Sequence, residues 1–202
     1  MGDERDVYLQ LEERAVIRTK DIHQTEKEIG AQGYSDKLIN TVITLVNSGK
    51  PEGYNACSMV GRSKRGAVAV RLFAIIDEDT SIILRAGFKV HGCLGMIASA
   101  STACTLIEGK TIQEALQITA EDIRDALDGM PSERIFTLYF AEEAIRALLG
   151  DYYIRKGAQL KQLDSHVACK SDSMGCLLAE HCSLRDSRVE LRLEDFVSAA
   201  SE

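Results

Sequence analysis

Phe88-Lys89-Val90-His91-Gly92-Cys93-Leu94-Gly95-Met96-Ile97-Ala98-Ser99-Ala100-Ser101 changes its character part-way along. Its first residues end a run, Ser81 to Val90, rich in β-branched and aromatic side chains, which suits the pleated surface of a strand. After Gly92, Cys93 to Glu108 is dense in small residues and reads as a tightly packed helix closed by Gly109. A strand that turns through Gly-Cys into a helix sets the cysteine at the helix N-terminus. Backbone N–H groups there lack intrahelical partners and favour a thiolate. Lys89, His91 and Cys93 are spaced by two, so an extended strand end places them on one side. A reactive Cys93 flanked by positive charge is therefore expected. The alternative is a thiol packed as a small hydrophobe.

Working outward from this stretch, Ala67 to Ile76 has the same strand character and ends at the turn-like Asp77–Asp79. With Ser81 to Val90 it predicts an antiparallel hairpin, and Ala56 to Val60 is a further short strand candidate. Upstream, Leu38, Ile39, Val42, Ile43, Leu45 and Val46 predict an apolar helical face, stopped by Gly49, Pro51 and Gly53. Downstream, Ile112 to Ile118 and Ile123 to Leu127 read as short helices, with Thr119 and Asp122 spaced as a capping box. A longer helix is predicted from about Glu133 to Tyr153. Beyond Gly157 stand a short helix around Met174 to His181 and a strand-like alternation, Val189, Leu191, Leu193.

These elements predict an α+β fold, a small antiparallel three-stranded sheet with helices packed on one face. The expected organisation is a charged helical extension over 1–32, a main domain over 33–157 and a cysteine-containing extension over 158–202.

The chain has 202 residues, 45% of them hydrophobic and 27% charged, an ordinary globular mix. Its net charge of −7 argues against binding a phosphate backbone, so nucleic acid is not expected as a partner. Met1 to Leu11 is acidic and polar, unlike a secretory or transit peptide, and the apolar runs are too short to cross a bilayer. A soluble, cytoplasmic protein without membrane contact is the expectation. In that setting Cys57, Cys93, Cys104, Cys169, Cys176 and Cys182 read as thiols or metal ligands rather than a disulfide framework. Walker loops, HExxH, GxSxG and dinucleotide fingerprints do not occur.

The Phe88–Ser101 stretch resembles the cysteine loop and helix start of the IscU/NifU N-terminal iron–sulfur scaffolds. Glu108 to Ala115 is similar to that family's next turn, and Ala141-Glu142-Glu143-Ala144-Ile145 with Asp151-Tyr152 to its last helix. Tyr34-Ser35-Asp36-Lys37 and Met59-Val60-Gly61 match as well, so the likeness runs from Tyr34 to about Lys156. The resemblance implies the family's fold, a role in iron–sulfur cluster assembly, and partners among assembly proteins, a cysteine desulfurase first.

The departures are as informative. The family holds a nascent cluster with three cysteines and an aspartate. Where its Cys-Gly-Asp element belongs, this chain has Arg65-Gly66-Ala67, and Phe136-Thr137 stands where the third cysteine belongs. Cys93 alone survives, and one thiolate cannot enclose a cluster. Three readings follow. Cys93 could carry a persulfide, as the single cysteine of the SufE sulfur acceptors does in the same loop, with His91 and Lys89 supporting its thiolate. Cys57, Cys169, Cys176, Cys182 and His181, with His166 nearby in sequence, could supply replacement ligands beside Cys93 for a transient iron–sulfur cluster, iron or zinc. Their spacing does not match compact CxxC pairs, and incidental thiols are the plainer reading. Cofactor-free action is the remaining option. The third reading is a non-catalytic adaptor that binds a desulfurase or another assembly protein, with the basic loop Arg62-Ser63-Lys64-Arg65 as a docking element. A scaffold or sulfur carrier is expected rather than a true enzyme.

Overall fold

The computed structural model describes residues 33–62, 68–169 and 173–199. The charged extension over 1–32 and the loop bearing Arg65-Gly66-Ala67 lie outside the described residues. The described residues from Ser35 onward form one compact unit, and the fold below is that unit's.

Strand β3 (Val68–Ile76) is the spine of a four-stranded sheet. On one side β4 (Ile83–Val90) runs antiparallel to it, from Val70 opposite Val90 to Ile76 opposite Ile83, with an irregularity between Ile75 and Ile76. On the other side lie two short strands, β1 (Ala56–Cys57) opposite Ala74 and Phe73, and β2 (Val60–Arg62) opposite Val70 and Val68. The expected three-stranded antiparallel sheet is thus present with one edge divided in two. Ser58 bridges the division: its N–H donates to the Leu72 carbonyl at 2.9 Å and its hydroxyl accepts from the Leu72 N–H at 3.2 Å.

Alternation along β3 sorts the sheet's faces. Val70, Leu72, Ala74 and Ile76 are fully or almost fully buried, and helices α2 (Leu94–Ile107) and α5 (Phe136–Arg155) pack on the strands and on each other. Ten of the fourteen α2 residues are buried, among them Gly95, Ala98, Ser99, Ala100, Ser101 and Ala103. Small side chains let the helix lie close to its neighbours, as the composition of Cys93 to Glu108 predicts. Arg71, Arg85 and Lys89 lie on the opposite face and are exposed.

Helix α1 (Asp36–Thr44) is capped by Ser35, whose side chain accepts from Leu38 N–H. The same hydroxyl donates to the Leu127 carbonyl. The apolar face expected to reach Val46 stops short: Leu45 and Asn47 take positive φ, ahead of Gly49, and Ile43, Leu45 and Val46 are exposed. Helices α3 (Ile112–Ala115) and α4 (Ala120–Ala126) each open on a complete capping box, Thr111 with Glu114 and Thr119 with Asp122. The long helix α5 begins after a short 3-10 turn over Ser132–Arg134.

The C-terminal segment forms α6 (Leu160–His166), α7 (Met174–Leu178) and α8 (Ser183–Ala199). Val189 to Leu193, expected as a strand from its alternation, lies inside α8. Spacing explains the correction: Leu184 and Arg188, four apart, are buried, while Val189 and Leu193, also four apart, are exposed, which is helical geometry. The segment's β-character falls earlier. Gly61 N–H donates to the His181 carbonyl at 2.7 Å, Ser183 N–H donates to the Met59 carbonyl at 2.9 Å, and Cys182 sits opposite Val60. The chain past Gly157 thereby covers the outer edge of β2 and packs on α5.

Candidate functional site

Cys93 is the N-cap residue of α2, with extended backbone (φ −80°, ψ 175°), a half-buried side chain and no capping hydrogen bond from its thiol. Beneath it the first turn of α2 rests on the start of α5. A Cβ at Gly95 would stand 3.2 Å from Met130 Sδ and 3.4 Å from both Arg134 Cβ and Thr137 Oγ1. Thr137, at the place that the resemblance gives to a third cysteine, is fully buried. Its hydroxyl donates to the Arg134 carbonyl at 2.8 Å and stands 3.1 Å from Ser99 Oγ on α2. That position is closed by two hydroxyls and holds no thiol.

Lys89 and His91 are exposed at the end of β4, and His91 N–H donates to the Ala69 carbonyl at 2.9 Å. Neither side chain hydrogen-bonds the Cys93 thiol among the described residues, so the structure gives the loop the cation Lys89 as a neighbour without a fixed ion pair. Directly across from Lys89 stands Arg71, a cation that sequence reasoning missed. Counting outward from a hairpin centred on Thr80 would have paired the two.

The other cysteines lie elsewhere. Cys57 sits on β1 opposite Phe73, with β3 between it and the strand that leads to Cys93. Arg155 Nη2 approaches its sulfur at 3.4 Å, and Asp151 accepts both the Cys57 N–H at 2.7 Å and Arg155 Nε at 2.6 Å. Partial burial, then the Asp151 carboxylate, push this thiol's pKa up. Cys104 is fully buried within α2, and its pKa is raised by that burial and then by Glu108.

Cys176 and Cys182 come together around the buried Glu143 of α5. Glu143 accepts from Arg146 at 2.6 Å and from the Cys182 thiol at 3.3 Å. Burial, then Glu143, push Cys182 up to about 12. Cys176 is raised by burial, then by Glu143 and Cys169. His181 Nδ1 pairs with Asp186 at 2.9 Å, and His166 stacks on the Tyr153 ring at 4.4 Å between centroids. Among the described residues no group of three or more His, Cys, Asp or Glu is arranged to hold a metal ion. None of their helices is long and apolar enough to cross a membrane.

The profile of the family described as "NifU-like N terminal domain" matches residues 33–159. The chain belongs to this family. Among its relatives in that family, the "Iron-sulfur cluster assembly scaffold protein IscU" of Azotobacter vinelandii is 36% identical over 127 residues, 61% of this chain and 97% of the relative. The "Nitrogen fixation protein NifU" of Azotobacter chroococcum mcd 1 is 32% identical over 128 residues, 63% of this chain but 40% of its own length. A solved scaffold protein for the SUF system from Fervidobacterium islandicum AW-1 is 20% identical, covers 67% of this chain and 97% of its own, and gives a TM-score of 0.38. The five motifs that suggested the family lie within or beside the matched span, and the cysteine loop stands between β4 and α2.

Proposed function

We propose that this chain serves iron–sulfur cluster assembly as a sulfur carrier, with Cys93 taking up a persulfide from a cysteine desulfurase. The observation that supports this reading is Thr137. The third-ligand position is not an empty thiol site but a buried hydroxyl, bonded to Ser99 and to the Arg134 carbonyl. Cys93 keeps the loop, the helix N-terminus and a half-buried side chain, without partner ligands on α5. Its relatives' names carry cluster assembly.

The step is a thiol–disulfide-type exchange. Cys93 thiolate attacks the terminal sulfur of the desulfurase persulfide. A new S–S bond forms on Cys93, the old S–S bond breaks, and the desulfurase cysteine leaves as a thiolate with the bonding pair. No external oxidant or reductant enters. The free N–H groups at the head of α2 favour the attacking Cys93 thiolate, while Lys89, with His91 beside it, supplies positive charge at the loop's edge. Transfer of sulfur from radiolabelled cysteine, through a cysteine desulfurase, tests the reading. Label is expected on the parent chain and on the Cys57→Ser and Cys176→Ser variants, and absent from Cys93→Ala. Undiminished label on Cys93→Ala would overturn it.

A further inference from the structure

The face of the sheet turned away from the helices carries a set of cations, of which the sulfur chemistry uses Lys89 alone. Arg71 on β3 and Lys89 on β4 stand directly opposite one another, and Arg85 projects from the same face further along β4, opposite Ile75. All three are exposed. Between them lies Phe73, which is buried and packs edge-on against Tyr54, with ring centroids 5.3 Å apart. Lys50 Nζ lies 4.7 Å from the Tyr54 centroid. Gly87, opposite Phe73, lets the chain cross tightly over the sheet, since a Cβ there would meet the Gly49 carbonyl at 2.6 Å and Pro51 Cδ at 2.8 Å.

Among the described residues none of Lys50, Arg71, Arg85 and Lys89 forms an ion pair, although other cations of the fold do. Like charges directly opposite on adjacent strands destabilise a sheet, so the Arg71–Lys89 pair opposes folding locally. It does so in a chain whose net charge is −7, where acidic residues outnumber basic ones. Such a segregated, unneutralised face is complementary to a negatively charged surface.

We propose that this face docks an acidic segment of a partner protein, whose carboxylates neutralise Arg71, Lys89 and Arg85 while an apolar side chain covers the ring of Tyr54. The strand that carries Lys89 runs straight into His91-Gly92-Cys93, so a partner held there stands beside the cysteine loop. The proposal stands without the sulfur reading, because docking uses the sheet and not the thiol. A protein segment is favoured over nucleic acid because a polypeptide carries apolar side chains between its carboxylates to set against the Tyr54 ring, whereas a phosphate backbone calls for a denser positive face.

The test uses the full chain and a fluorescein-labelled octaglutamate peptide, with oligothymidylate of equal charge as competitor. Binding is expected at low ionic strength and is expected to weaken steeply as salt rises. Arg71→Glu with Arg85→Glu is expected to weaken it about tenfold or more. The same variant places a carboxylate across from Lys89, an opposite-charge pair, so its Tm is expected to be no lower than the parent's. Cys93→Ala is expected to bind the peptide like the parent. The proposal is overturned by a reversed-charge variant that folds and binds equally well, by tighter binding of oligothymidylate, or by loss of peptide binding in Cys93→Ala.

Discussion

At the scale of single residues, the six cysteines are sorted by what surrounds each sulfur. Burial followed by a neighbouring carboxylate raises the pKa of Cys57, Cys104, Cys176 and Cys182. A thiol raised to about 12 is thiolate in about one molecule in ten thousand at pH 8, and the thiolate is the nucleophile. Iodoacetamide at pH 8, followed by peptide mass mapping, should therefore modify Cys93 in the native chain and reach Cys104 and Cys182 only after unfolding in guanidinium. Modification of Cys182 as fast as Cys93 would contradict this sorting. The position of Cys93 was legible because the hydrophobic period changes at Gly92, a local signal. The closure of the position that the resemblance gives to a third cysteine was not legible, because Thr137 and its partner Ser99 are 38 residues apart and meet only once α2 and α5 pack.

Among the elements, the short helices depend on their caps. Thr119 and Asp122 satisfy each other's free backbone donors at the start of α4, and Thr119→Ala should cost about 1 kcal/mol in urea denaturation. The N–H and hydroxyl of Thr119 hold the Asp122 carboxyl below its ordinary value. A carboxyl lowered in the folded state contributes stability that is present above its unfolded value of 3.8 and is lost as pH falls through the folded one. Asp122→Asn should accordingly lower the urea midpoint at pH 7, and by less as pH falls below 3.8; an equal loss at every pH would contradict the cap's charge. This box was legible from a three-residue spacing alone. The C-terminal helix was not, because Val189, Leu191 and Leu193 imitate a strand. Burial of Leu184 and Arg188 against the rest of the fold settles the period as helical. The divided edge strand was equally hidden, since one short apolar run served both β1 and β2.

Across the whole molecule, the segment after Gly157 is tied to the core by a buried charge cluster. Glu143 joins Arg146 to the Cys182 thiol, and Arg146 also reaches Glu142 at 2.9 Å. Although burial opposes the charge of Arg146, the two carboxylates raise its pKa. Removing one partner of a buried pair leaves the other charge uncompensated. Glu143→Gln should therefore destabilise the chain by about 3 kcal/mol, at the low end of such losses because Glu142 remains, as read from urea denaturation. A change below about 0.5 kcal/mol would show that the cluster does not hold the segment. The order of elements over 33–157 could be read from hydrophobic periods and family motifs. The docking of the following segment on β2 and α5 could not, because it rests on pairings such as Gly61 with His181 that span more than a hundred residues. The fold as a whole thus presents Cys93 at a helix head, next to a cationic sheet face. Native mass spectrometry of the full chain after anaerobic incubation with a cysteine desulfurase, cysteine and ferrous iron is the most direct test of sulfur carriage at Cys93. The expected result is a gain of sulfur without iron, lost in Cys93→Ala. A gain of iron together with sulfide would contradict it and would make the chain a cluster scaffold with ligands outside the family's usual set.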